Sequence, residues 1–167
     1  TYVFQYKLSN GRCADSATVN VTLYEDPTVA FAGPDQAWCE STSTNLQGNT
    51  PTIGTGTWTQ VSAPATASIT SPNSPTSEVN GLTGYGNYEF KWAIGNGTCD
   101  STFDYTTISV TQQASNVFAG ANDTICEDEL FVLSTATADN ADSLHWSTCS
   151  NGCGIFDDPN SLNPTFT

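Results

Sequence analysis

The stretch Tyr88-Glu89-Phe90-Lys91-Trp92-Ala93-Ile94-Gly95-Asn96-Gly97-Thr98-Cys99 sets bulky apolar residues at every second position and then breaks into a Gly-Asn-Gly turn. Alternation of period two marks a strand with one face buried and the other in water. The chain opens on the same pattern. Phe4, Tyr6, Leu8, Asn10, Gly11 and Cys13 recur as Phe90, Trp92, Ile94, Asn96, Gly97 and Cys99, each 86 residues later (90 minus 4, 99 minus 13). Six matches in one register define an internal repeat.

A second set of matches covers the other half of the repeat. Ala30-Phe31-Ala32-Gly33 with Cys39-Glu40 returns as Val117-Phe118-Ala119-Gly120 with Cys126-Glu127, an offset of 87 (118 minus 31). Leu46 matches Leu133 at that offset, Trp58 lines up with Trp146 after a one-residue slip, and Pro72-Asn73-Ser74 lines up with Pro159-Asn160-Ser161. The order along the chain is therefore the C-terminal half of one repeat (1–26), a complete repeat (29–112) and the N-terminal half of another (116–167).

Within the complete repeat, strand candidates at Thr44–Leu46, Gly56–Val61, Ala67–Thr70, Thr76–Val79, Tyr88–Ile94 and Tyr105–Val110 are separated by Gly, Pro and Asn turn chemistry. No segment carries apolar residues at helical spacing over three turns. Six or seven short strands around a central Trp58 predict an all-β fold: tandem immunoglobulin-like β-sandwich repeats, one complete and two half domains. The opening pair, Tyr2–Leu8 and Ala17–Leu23 across an Asn10-Gly11 turn, is a hairpin without the rest of its sheet, marginal in water alone. The linkers near Glu25-Asp26-Pro27 and Gln112-Gln113-Ala114-Ser115 are short, so neighbouring domains are expected to stack end to end.

With 17 acidic residues against three Lys and Arg, the net charge is −14. Nucleic acid and anionic membrane are poor partners for such a surface. The acidity keeps a crowded or polymeric surface soluble; a sharper reading is Ca²⁺ binding. No EF-hand loop is present, and Asp157-Asp158 and Glu127-Asp128-Glu129 are the clusters that could hold a weak Ca²⁺ site. No other cofactor is expected. No apolar run approaches the roughly 18–20 residues of a membrane span, so membrane insertion is not expected. Thr1-Tyr2-Val3-Phe4 reads as strand interior and not as a signal peptide, and the chain reads as a slice of something longer. Placed together, its two ends nearly rebuild a second domain, about eight residues short. Either a longer covalent array or strand donation between separate chains would complete it.

Six cysteines without Cys-x-x-Cys metal spacing favour disulfides and an oxidising compartment. Cys39 and Cys99 are expected to pair with each other. Their counterparts Cys126 and Cys13 are expected to pair with an adjacent unit, and Cys149 with Cys153 around a Ser-Asn-Gly turn. One tension is geometric: a bridge needs Cα atoms within about 7 Å, and in a standard sandwich the turns carrying Cys39 and Cys99 lie at opposite ends. The single His145, beside Trp146 on an expected core strand, reads as a partly buried strand residue, and no phosphate loop, zinc spacing or nucleophile elbow appears. The chain does not read as an enzyme.

Asn20, Asn96 and Asn122 fit the N-glycosylation acceptor pattern, which arises easily by chance in a chain rich in Asn and Thr. Ser16, Ser101, Thr124 and Ser143 each follow Asp and precede a small or apolar residue, a pattern that resembles the O-glycosylation acceptor of Bacteroidota. Simple turn formation is the competing reading.

Ala32-Gly33-Pro34-Asp35-Gln36 with Cys39-Glu40, the Asn-Gly-Thr-Cys at 96–99 and Asn163-Pro164-Thr165-Phe166-Thr167 together resemble the tandem immunoglobulin-like or PKD-like repeats of very large Bacteroidota cell-surface proteins, gliding-motility adhesins included. The Cys149–Cys153 insert has no counterpart in the complete repeat. The resemblance implies export to the cell exterior, by the type IX route, and a role as spacer, adhesin or fibre. The implied partners are copies of the chain or adjacent repeats, end to end, with surface glycans as the ligand in an adhesive role.

Overall fold

The structure, a computed structural model, describes residues 1–126, 129–148 and 154–167. Every regular element in it is a strand, thirteen in all among the described residues. The chain divides into two compact units, Thr1–Val110 and Thr111–Thr167.

Unit 1 begins with β1 (Tyr2–Asn10) and β2 (Cys13–Val21), which pair only with each other, Tyr2 opposite Val21 and Asn10 opposite Cys13. The remaining strands are β3 (Gln36–Cys39), β4 (Ser43–Asn45), β5 (Thr55–Ser62), β6 (Ser68–Ile69), β7 (Glu78–Asn80), β8 (Gly86–Gly95) and β9 (Thr102–Thr111). They form two sheets, β3-β9-β8-β5 and β4-β7-β6. Alternation builds the core between them. Tyr88, Phe90, Trp92 and Ile94 of β8, Ile108 and Val110 of β9 and Trp58 of β5 point inward against Leu46, Val79 and Leu82. Full burial of each such side chain contributes about 1.5–3 kcal/mol of gross hydrophobic stabilisation.

Tyr88 fixes the start of β8 by accepting from Gly84 N (2.8 Å) and donating to Gly84 O (2.9 Å), the tyrosine corner of immunoglobulin-like sandwiches. The segment before β3 runs parallel to β9 and is held by its side chains. Ala30 N donates to Thr102 Oγ1, Ala32 N to Asp104 Oδ2, Thr106 Oγ1 to Pro34 O and Thr107 N to Asp35 Oδ1, every pair 72 residues apart. A constant difference along both chains means a parallel course. β3 itself escapes sequence reading because its residues are mostly exposed and show no alternation. Gly33 (φ 84°) permits the close approach of this segment to the Gln47 backbone, where a Cβ would meet Gln47 O at 2.6 Å.

Unit 2 contains β10 (Ser115–Phe118) paired with β12 (Thr137–Asp139) and β11 (Phe131–Val132) paired with β13 (Thr165–Phe166). Its hydrogen bonds reproduce those of unit 1. Leu133 N donates to Pro164 O as Leu46 N does to Ser77 O, and Trp146 N to Pro159 O as Trp58 N does to Pro72 O. The Trp146 indole donates to Ser161 O (3.0 Å), as the Trp58 indole does to Pro75 O (3.2 Å). Yet no aromatic side chain is fully buried among the described residues of unit 2; Trp146, Phe156 and Phe166 stack while remaining partly exposed. His145 corrects the expectation of a partly buried strand residue. It is exposed, outside any strand, with Nδ1 3.0 Å from Asn160 Oδ1, because it stands at the outward position between Leu144 and Trp146, as exposed Thr57 does between Gly56 and Trp58.

Candidate assembly surfaces

Alternation and a tight turn with Gly11 at φ 62° put Tyr2, Phe4, Tyr6 and Leu8 on one face of the hairpin. They are 58, 56, 68 and 57% exposed, whereas their repeat counterparts Tyr88, Phe90, Trp92 and Ile94 are each 0% exposed. Facing-pair geometry adds Val19 and Val21 to that face, opposite Phe4 and Tyr2. Unit 2 holds a matching feature, an open apolar groove of about 370 Å³ lined by Val117, Phe118, Ala136, Leu144, Trp146 and Leu162. Its counterpart in unit 1 is the space that Trp92 fills, where the rings of Trp58 and Trp92 lie 4.9 Å apart.

The Cys39–Cys99 bridge is not formed: both cysteines are free. Cys39 ends β3 and so lies near the Val110 end of β9, whereas Cys99 precedes the start of β9. Ten strand residues separate the two levels, about 30 Å at roughly 3.3 Å each. The Cys99 thiol instead donates to Tyr24 O at 3.7 Å, and Asn96 Nδ2 donates to Glu25 O at 2.8 Å, anchoring the incoming linker at that end. Cys13 and Cys126 are free and exposed. Cys149 and Cys153 lie outside the described residues.

Of the O-glycosylation candidates, Ser16, Ser101, Thr124 and Ser143 are all exposed, and Ser16 N and Thr124 N donate to Asp15 and Asp123 directly before them. Asn20 and Asn122 are exposed as well, while Asn96 is partly buried and committed to Glu25. Glu127 and Asp128 lie outside the described residues; Glu129 accepts from Cys126 N at 3.2 Å. Asp157 accepts from Thr165 N and Asp158 N, both at 2.7 Å, and these backbone bonds hold its carboxyl below the usual range. Its role is to brace β13.

One surface was not foreseen. On the outer face of the four-stranded sheet, exposed Phe103 and Tyr105 pack edge to face (5.8 Å) with Lys91 Nζ 4.4 Å from the Phe103 centroid. Alternation along β9 contains the signal, since residues between the inward Asp104, Thr106 and Ile108 must point outward.

Two face-to-face sheets, a tyrosine corner and a central tryptophan pair define unit 1 as an immunoglobulin-like β-sandwich. No family model matches the sequence, and no curated protein matches it. Among solved structures the chain is similar to the PKD domain from KIAA 1837 protein, at 20% identity and TM-score 0.45 over 63% of this chain and 100% of that one. It is also similar to a nucleoside hydrolase-related hypothetical protein from Saccharophagus degradans associated with carbohydrate metabolism, at 12% identity and TM-score 0.40, over 54% of this chain and 26% of that one. Among the described residues, no helix is long and apolar enough to cross a membrane.

Proposed function

We propose that the chain is a structural repeat unit of an extracellular, glycosylated fibre or cell-surface stalk of the Bacteroidota type, with sandwiches stacked end to end and completed across unit boundaries. The observation that carries this reading is the contrast between the two hairpins: one amphipathic pattern is fully buried in β8 and more than half exposed in β1. An exposed apolar face of this kind marks an interaction surface, and unpaired edges invite strand addition. In this reading Cys13 and Cys126 pair with cysteines of adjacent units, Ser16, Ser101, Thr124 and Ser143 carry O-glycans, and the acidic surface keeps the polymer soluble. Electron microscopy of native material with intact-mass analysis tests it. Continuous fibres bearing glycan mass support it, and a monodisperse, unglycosylated monomer refutes it.

A second reading, an adhesin segment binding surface glycans, is favoured by the Phe103–Tyr105–Lys91 platform. Aromatic faces flanked by a cation suit stacking on sugar rings. A glycan array probed with the chain and with Phe103→Ala/Tyr105→Ala checks it; binding that the double substitution leaves intact sinks that reading.

A further inference from the structure

We propose that the apolar groove of unit 2 is filled by the β1–β2 hairpin of a second copy of this chain, an inference that rests on the fibre reading above and specifies its joint. The groove wall is built as in the complete sandwich, since Trp146 makes the backbone bond of Trp58 and Leu133 that of Leu46, and each indole donates to a carbonyl of the same loop. Among the described residues, no strand pair stands against that wall as β8 and β9 do in unit 1.

The side chains on the two sides of this joint differ from unit 1 in compensating ways. In unit 1 the Trp92 ring lies so close to Gly56 that an added Cβ would overlap its Cζ2 and Cη2 atoms. Gly48 abuts both indoles, a Cβ there standing 2.9 Å from Trp58 and 3.3 Å from Trp92. The Trp92 Nε1 donates to Asn49 Oδ1 at 3.1 Å. Unit 2 has Leu144 in place of Gly56 (144 minus 56 is 88, the Trp58–Trp146 offset), Thr135 in place of Gly48, and Ala136 in place of Asn49. A tryptophan entering this groove would collide with Leu144 and leave its indole N–H without that acceptor. The hairpin carries Tyr6 at the position of Trp92, a smaller ring system. Larger wall and smaller insert together conserve volume, whereas each alone would damage the packing.

Charge points the same way. Residues 2–21 hold Lys7 and Arg12 against Asp15, a net of +1 (2 minus 1), whereas residues 111–167 hold eight acidic residues and no Lys or Arg. The hairpin's own linker is anchored to unit 1, where Glu25 O and Tyr24 O accept from Asn96 and Cys99, and the donor is therefore assigned to a second copy.

The register follows from unit 1, where Trp58 faces Trp92, Thr57 faces Ala93 and Gly56 faces Ile94. Tyr6 of the incoming copy therefore stands opposite Trp146, Leu8 opposite Leu144 and Lys7 opposite His145, the last pair on the outer face. The test uses the full chain with its six cysteines replaced by Ser, carrying either Lys7→Cys or His145→Cys. Mixed and mildly oxidised, the two are expected to give a disulfide-linked heterodimer. Val3→Cys with His145→Cys is displaced by four residues, about 13 Å, and is expected to stay unlinked. Tyr6 is exposed in the single chain, so Tyr6→Trp leaves the fold intact; self-association should weaken about tenfold or more through overpacking and recover when Leu144→Gly and Ala136→Asn are added. Fibres that form without the 7–145 cross-link, or with Val3 linking equally well, overturn strand donation and leave the fibre reading standing. A chain that stays monomeric at every concentration overturns strand donation, while the fibre reading falls only if native material is an unglycosylated monomer.

Discussion

Gly56→Ala is the perturbation whose sign is most informative about the sandwich core. Gly56 does not lie at positive φ, so alanine fits the backbone, and restricting the unfolded chain would by itself stabilise the protein by about 0.4–1 kcal/mol. The added methyl, however, falls onto the rigid Trp92 indole, which is clamped by Trp58 on one side and by its bond to Asn49 on the other. Overpacking a fixed core costs about 1–3 kcal/mol, and an overlap with two ring atoms belongs at the upper end, so the net cost is about 2 kcal/mol or more (3 minus 1). For a domain of this size that lowers Tm by about 8–20 °C. Differential scanning calorimetry of the reduced full chain reads the shift. The decisive measurement is the cycle with Trp92→Tyr, which copies the Leu144–Tyr6 pairing proposed for the joint. The double variant should lie at least about 1 kcal/mol above the sum of the singles, beyond the additivity seen for independent sites. A Gly56→Ala protein as stable as the parent, or strictly additive costs, would refute the steric account and with it the volume-exchange argument for the joint.

Asp104→Ala leaves the buried Ala32 N–H without its acceptor and should destabilise unit 1 by about 1–3 kcal/mol in urea unfolding, with Asp104→Asn recovering part of the loss. Thiol titration of the folded chain should find Cys39 and Cys99 reactive as separate thiols, and reductant should leave the melting of unit 1 unchanged; an intrachain 39–99 bridge in a peptide map would contradict the parallel course of the first strand. Asp157 has a depressed pKa in the folded state, so the support it gives β13 is present above the ordinary carboxylate pKa and is lost as pH falls through its lowered value. Amide exchange at Thr165 should therefore accelerate only in acid, below about pH 4, and Asp157→Asn should remove that dependence. Finally, raising NaCl from low ionic strength to about 0.15 M should promote assembly, since a Debye length near 8 Å screens the repulsion between whole chains more than contacts inside a groove; assembly yield falling steadily over that range would tell against the groove contact.

The sandwich was legible because its largest side chains alternate: Tyr88, Phe90, Trp92 and Ile94 announce β8, and their echo at Tyr2 to Leu8 announces the repeat. The Trp58–Trp146 match survived into three-dimensional detail, down to the acceptor of each backbone N–H, Pro72 O and its counterpart Pro159 O. The cysteine pairing was not legible, because counting two cysteines in a domain says nothing about which end of a strand each occupies. That required the parallel run of Ala30 to Asp35 beside β9, built from side-chain acceptors and not from a hydrophobic pattern. β3 and the Phe103–Tyr105 platform were missed for the related reason that outward-facing residues obey no packing rule readable without the register. The differences between repeats, Gly56 against Leu144 and Trp92 against Tyr6, were visible as letters but acquired meaning only once Gly56 was seen to lie against the Trp92 ring.

The magnitudes place the proposed joint near balance. Tyr2, Phe4, Tyr6, Leu8, Val19 and Val21 would each contribute about 1.5–3 kcal/mol on full burial, and at their observed exposures of 38–68% the gain from the hairpin is about 5–10 kcal/mol. Association opposes this with about 4–15 kcal/mol of lost translational and rotational freedom. Hydrophobic burial alone thus gives a reversible contact, and the extra stability must come from backbone pairing along the open edge beside Trp146 and from the fit of Tyr6 against Leu144. Both terms depend on register, because a one-residue slip turns the apolar face of β1 outward. A weak apolar drive combined with register-dependent pairing gives an assembly that forms in one alignment or not at all. That is the behaviour the proposed joint requires.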